Sequence, residues 1–333
     1  MTLPPGPIDV HGHAMPLGVL RWLEEGGLAD LSGVADRVVR IDSVVSGVGP
    51  GAQLPLAPSM TEPALRVAEL DAMGLAAQAI SLPPFLMASR CVDVGLVREV
   101  VRRGNDALAE YCAHDPRLLA LGLVPLGFEG AAEEARRCLD DLGMSGVALG
   151  SRGGGVDLDA DVNDELWSFL GARRAFAFLH PSAVPDPARL ADFWFPQLIG
   201  YPMETAIAAA RLVFSGTLAD RPVALCLAHG GGCLPSLRGR LDIGWSRKPQ
   251  AHTIDVPPSE VFGTLYYDTA VFDPVLLERL VADVGASQVL LGTDHPFDLA
   301  EQDPLGFVAS TRLTHDERHA VLEANARRLL RLP

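Results

Sequence analysis

The sequence predicts a (β/α)8 barrel, and three observations carry that prediction. Eight short apolar runs alternate with longer amphipathic stretches. Most of the runs hold few polar residues before their last positions, the pattern of parallel strands covered on both faces. The length of 333 residues also fits one barrel of this kind. A doubly wound parallel sheet is the alternative that the same alternation allows.

The strand candidates are Ile8–His13, Ala77–Leu82, Leu119–Pro125, Gly146–Gly150, Ala175–His180, Val223–His229, Thr264–Thr269 and Gln288–Asp294. Helical periodicity marks Thr61–Met73, Val92–His114, Ala131–Leu142, Asn163–Arg174, Glu204–Leu218 and Pro274–Val284. The last predicted helix, Thr314–Leu332, opens with Thr314-His-Asp-Glu317, a capping-box pattern. Ala14–Met60 breaks the alternation. It is too long for an ordinary βα loop and has one strand-like run, Arg37–Val45, so we expect an insertion over the barrel mouth. The whole of 1–333 then reads as one domain.

Composition narrows the function. Forty-two acidic residues against 27 basic ones give a net charge of −15, which argues against nucleic acid or an anionic membrane as partner. No apolar run is long enough to span a bilayer. The five cysteines are odd in number and form no CxxC pair, and the first residues do not read as a signal peptide. A reducing, cytoplasmic setting is the expectation. Only one basic residue is a lysine, Lys248.

The chemistry gathers at strand ends. Strand one closes with Asp9-Val-His11-Gly-His13, whose two imidazoles share one face and can reach one metal. His180 closes strand five, His229 heads the Gly230-Gly-Gly232 turn after strand six, and Asp294 closes strand eight. All fall at the C-terminal face, where barrel enzymes place catalysis. His11, His13, His180 and Asp294 form a three-nitrogen, one-carboxylate set suited to Zn2+, leaving His229 as a candidate general acid/base.

Several stretches together resemble the amidohydrolase superfamily, and within it the metal-dependent non-oxidative decarboxylases typified by 2-amino-3-carboxymuconate-6-semialdehyde decarboxylase. They are Ile8-Asp-Val-His-Gly-His-Ala-Met-Pro16, the Trp194–Thr205 block, His229-Gly-Gly-Gly through Arg240, Tyr267–Pro274 and Leu291-Gly-Thr-Asp-His-Pro-Phe297. The resemblance implies zinc on His11, His13, His180 and Asp294, with Asp294 also catalytic and His229 as acid/base. It also implies one metal per chain: binuclear members bridge two metals with a carboxylated lysine at the end of strand four, which here ends Ala148-Leu-Gly-Ser151, and Lys248 lies far along the chain. It implies Trp194 and Phe297 in the substrate pocket, and Arg37 and Arg240 on substrate carboxylates. Arg240 would enter the neighbouring subunit's pocket, making a homodimer. The activity implied is decarboxylation of an unsaturated or aromatic carboxylic acid, 2-amino-3-carboxymuconate-6-semialdehyde or an analogue, without an organic cofactor. A hydrolase or hydratase on the same metal site, or a non-catalytic binding protein on the scaffold, are the rival readings. The chain departs from the family pattern around Asp36 and over Val44–Pro50, inside the insertion, so substrate identity is less constrained than the metal site.

Overall fold

Eight parallel strands line up in chain order, each joined to the next by a helical crossover. They are β1 Ile8–His13, β2 Ala77–Ser81, β3 Leu118–Leu123, β4 Gly146–Gly150, β5 Phe176–His180, β6 Ala224–Leu227, β7 Tyr266–Asp268 and β8 Val289–Leu290. The computed structural model describes residues 3–219 and 221–332. Neighbouring strands pair in parallel from β1 through to β8. The ring closes between the first strand and the segment after the last. Val10 N–H donates to Leu291 O (2.8 Å), His13 N–H donates to His295 O (2.8 Å), and Gly12 bridges His295. This is the expected (β/α)8 barrel. Strands β1 to β6 are buried at every position, which explains their near-continuous apolar sequences.

The outer helices follow the predicted periodicity. Val94–Cys112 starts on Asp93, whose carboxylate accepts from Leu96 N–H, and Pro274–Val284 starts on Asp273 in the same way. Thr314 and Glu317 form the full capping box. The last helix is not continuous: a widened turn at Ala320–Ala324 separates His315–His319 from Asn325–Leu329.

The insertion differs from its sequence reading in one place. The strand within Arg37–Val45 is only Val38–Ile41, the centre of a small antiparallel sheet with Ala29–Asp30 and Leu54–Pro55. Arg37 lies outside it in the left-handed region (φ 61°), ending the turn Val34–Asp36. Asp42 ends the strand by accepting from Val44 N–H and starting a short helix, Ser43–Ser46. A local cap therefore overrides the β preference of Val44 and Val45.

Candidate metal centre

Strand alternation sends His11 and His13 inward from β1, and both are fully buried. His11 Nδ1 donates to Asp268 Oδ2 at 2.7 Å, leaving Nε2 free and 3.2 Å from Asp294 Oδ1. His13 Nδ1 meets Ser81 Oγ at 3.2 Å, and its Nε2 lies 3.2 Å from the same Asp294 oxygen. His180, ending β5, donates Nδ1–H to Pro181 O at 2.9 Å, which leaves its Nε2. His229 Nε2 lies 3.6 Å from Asp294 Oδ2. Ligating atoms of His11, His180, His229 and Asp294 all fall within 4.8 Å of one another. The structure thus gathers all five groups singled out in the sequence, and distance does not separate His229 from the four predicted ligands: this group includes His229 and leaves out His13.

The local backbone accounts for this convergence. Asp294 and His229 both sit at positive φ (65° and 58°), just past short strands, where the chain turns sharply inward. Asp294 N–H is fixed to His11 O at 2.9 Å. After His229, Gly232 (φ 61°) passes so near Pro202 O that a Cβ would stand 1.9 Å from it, so no other residue fits this turn.

A cation fits this cradle. His11 Nε2, His13 Nε2 and Asp294 Oδ1 are buried with no hydrogen-bond partner, a costly state unless a further group meets them. Three imidazole nitrogens and one carboxylate oxygen are also a suitable donor set for a divalent first-row metal. Before any metal is counted, burial opposes charge on His11, but the Asp294 and Asp268 carboxylates outweigh it and raise its pKa to about 10. Burial lowers His13 to about 4 and holds His180 well below its ordinary value. Asp294 is held well below the usual carboxylate range, because His11 and its other imidazole neighbours outweigh the effect of burial.

The walls are aromatic. Phe297 packs tilted against His13 (5.3 Å between centroids) and edge to face with Phe85 (6.0 Å), and Tyr201 meets His180 edge-on at 6.0 Å. Phe297 therefore adjoins the cradle. Three other predicted substrate residues lie outside this contact set. Trp194 is 68% exposed at φ 61°, Arg37 is exposed beside the small sheet, and Arg240 is exposed on the helix Leu234–Arg247. Neither arginine forms an ion pair among the described residues.

Sequence reasoning missed Asp268, which accepts from both His11 Nδ1 and Gly230 N–H and so orients a cradle imidazole and the His229 turn together. Its signal was the same as that of Asp294, a carboxylate closing an apolar strand. Asp9 on β1, Gln78 on β2 and Arg66 on the helix Pro63–Met73, all fully buried, were missed as well.

An imidazole nest around one carboxylate at the C-terminal face of a (β/α)8 barrel defines a class, the barrel enzymes that work through a strand-end divalent metal. Comparison makes this specific: the Amidohydrolase family model matches residues 8–332, and the chain belongs to that family. It is 30% identical to 2-amino-3-carboxymuconate-6-semialdehyde decarboxylase of Dictyostelium discoideum, over 81% of this chain and 77% of that one. It is 31% identical to the gamma-resorcylate decarboxylase of Rhizobium sp. (strain MTP-10005), over 80% and 86% respectively. Its fold matches the crystal structure of a dihydroxybenzoic acid decarboxylase from Polaromonas sp. JS666 with bound manganese, at TM-score 0.79 and 23% identity, covering 99% of this chain and 98% of that one.

Proposed function

We propose that this protein is a mononuclear, zinc-dependent, non-oxidative decarboxylase of an unsaturated or aromatic carboxylic acid, with no organic cofactor. The observation that supports it most is the cradle, with its three orphaned buried donor atoms, in a chain whose relatives are named decarboxylases. His11, His13, His180 and Asp294 would hold the ion. When bound, the ion supplies a Lewis acid that polarises a substrate oxygen or a water.

The chain's own residues do the rest. His229 delivers a proton to the carbon that carries the carboxylate. That C–H bond forms, the C–C bond breaks, CO2 leaves, and His229 regains its proton from solvent. Asp294, 3.6 Å from His229 Nε2, keeps the imidazole aimed at the cradle. Phe297 and Phe85, packed edge to face, offer an apolar aromatic wall to a planar acid. Arg37 and Arg240 bind substrate carboxylates.

In this reading Arg240 acts across a homodimer. An exposed apolar stripe runs along Phe193, Trp194, Leu198, Met203 and Ile207, and the helix Tyr201–Phe214 that carries its last two residues packs against the Arg240 helix. Such a surface suits a second copy of the chain. The setting is reducing and cytoplasmic, in keeping with five free cysteines. No helix among the described residues is long and apolar enough to cross a membrane.

The test is CO2 release from zinc- and manganese-loaded protein given 2-amino-3-carboxymuconate 6-semialdehyde, 2,6-dihydroxybenzoate and benzoate. CO2 from either of the first two supports the reading. Turnover of a substrate without CO2 favours a hydrolase or hydratase on the same site.

A further inference from the structure

Arg66 stands out among the buried polar groups that the proposed chemistry does not use. It lies on the helix Pro63–Met73 with no solvent exposure. Its nearest carboxylate oxygen, Glu69 Oε2, is 3.9 Å from Nε, too far for a close ion pair. A guanidinium held this way is costly unless its donors are used. Nε has no hydrogen-bond partner, but both Nη groups are used, and in a particular direction. Nη2 donates to His13 O at 2.6 Å and also reaches Ser59 O at 3.4 Å. Nη1 donates to Gln78 Oε1 at 2.7 Å.

Gln78 continues the chain of contacts. Its Nε2 donates to Asp9 Oδ2 at 2.7 Å. Asp9 Oδ1 accepts from the backbone N–H of His11 (2.9 Å) and of Thr293 (3.1 Å), and Oδ2 accepts from Thr293 Oγ1 (2.6 Å). One amide side chain therefore joins a buried cation to a buried anion. Together the three side chains grip the backbone at His11, at His13 and just before Asp294. These residues carry three of the cradle's donors, and they span the seam where the barrel closes. Gly12, between the two histidines, lies flat on this relay: a Cβ there would stand 2.6 Å from Gln78 Cδ.

We infer that Arg66 is a positioning residue for the metal, which sets metal affinity through His13 O and through the Gln78–Asp9 relay. The inference rests on the metal reading of the cradle. Arg66 touches no cradle side chain and has no path to substrate. Its loss therefore changes how well the ion is held, while substrate affinity at saturating metal stays as it was.

The test uses full-length, metal-stripped protein titrated with Zn2+ and with Mn2+ alone, against a competing chromophoric chelator. Arg66→Met and Gln78→Ala weaken binding by roughly 10–100-fold, the range typical of groups that orient ligands. Arg66→Lys falls between, because one ammonium cannot serve His13 O and Gln78 with the same fork. At saturating metal, KM stays near wild type in all three. Gln78→Ala leaves the arginine and its His13 contact in place, so it carries the test if Arg66→Met fails to fold. Folded variants whose metal affinity stays within twofold of wild type, with only a lower thermal midpoint, overturn the inference and leave Arg66 a plain structural residue. Wild-type protein that takes up neither ion overturns the cradle itself, and the inference with it.

Discussion

The candidate metal cradle and the two arginines proposed to bind substrate lie at opposite extremes of burial. His11 and His13 are fully enclosed, and Nδ1 of each has an outer partner. Arg37 and Arg240 are exposed and pair with no carboxylate among the described residues. The cradle groups come from one chain and are fixed from several sides, whereas the two arginines are exposed and unpaired among the described residues. The difference separates two tasks. Chemistry needs ligands held to a few tenths of an ångström, so it sits on strand ends backed by a network. Selection of one acid over another needs only charges at the rim, which loops can change without disturbing the barrel.

The most severe way to break this comparison is to remove the carboxylate that the imidazoles share. Asp294→Asn keeps the shape but loses the charge 3.2 Å from two histidine nitrogens. Metal content should fall below a tenth of wild type. Turnover should drop by more than about 100-fold, beyond what groups behind the ligands usually cost. Elemental analysis with a CO2 assay checks both. Retained metal with retained turnover would show that Asp294 is not a ligand.

His229 is the next largest effect, and the one the geometry leaves most open. His229→Asn should lower turnover by roughly 10²–10⁴-fold, the scale of a lost general acid, with metal content near wild type. If the substitution strips the metal, His229 is a ligand, and the acid must be another group.

How far the sequence could be read follows the same division. Strand ends were legible because burial makes an apolar strand that closes on His or Asp conspicuous; β1 and β4 match their expected limits residue for residue. β8 was not: only Val289–Leu290 pairs with β7, because Leu291 N–H turns to Val321 O and the chain beyond pairs with β1. Arg66 and Gln78 were invisible for a different reason. Each lies in a segment that reads as an ordinary amphipathic helix or apolar strand, and their link exists only after a contact across 12 positions. In the insertion, a single aspartate cap at Asp42 redirected a run of valines, a local event that β propensity hides.

The role of Arg240 can be tested through the proposed homodimer. If Arg240 works in the neighbouring pocket, subunits carrying Arg240→Ala and subunits carrying His229→Ala complement each other. A mixed dimer has one site with both lesions and one with neither. Random pairing should then restore up to about a quarter of wild-type activity from two inactive parents. With subunit exchange confirmed, an inert mixture places Arg240 in its own chain's pocket or outside any pocket.

The smallest expected effect is a single proton, and it tests how the cradle is charged when empty. Burial works against a charge on His11, yet Asp294 and Asp268 raise its pKa to about 10, while burial keeps His13 near 4 and His180 well below its ordinary value. At pH 8 the empty cradle therefore carries one ligand proton, on His11, and an ion must displace it. A histidine raised from 6.5 to about 10 stabilises the empty fold fully below pH 6.5, and that stabilisation is lost as pH rises towards 10. The metal-free protein should accordingly lose thermal stability across pH 7–10, while the loaded protein, whose His11 is neutral throughout, should not lose it on this account. Apparent metal affinity should rise about tenfold for each pH unit in the same window. Calorimetric titration of the stripped protein with Zn2+ at pH 8, in buffers of different ionisation enthalpy, should show about one proton released per ion. Release of none would mean that His11 is already neutral in the empty cradle. Its one N–H, on Nδ1, would then be held by Asp268 alone.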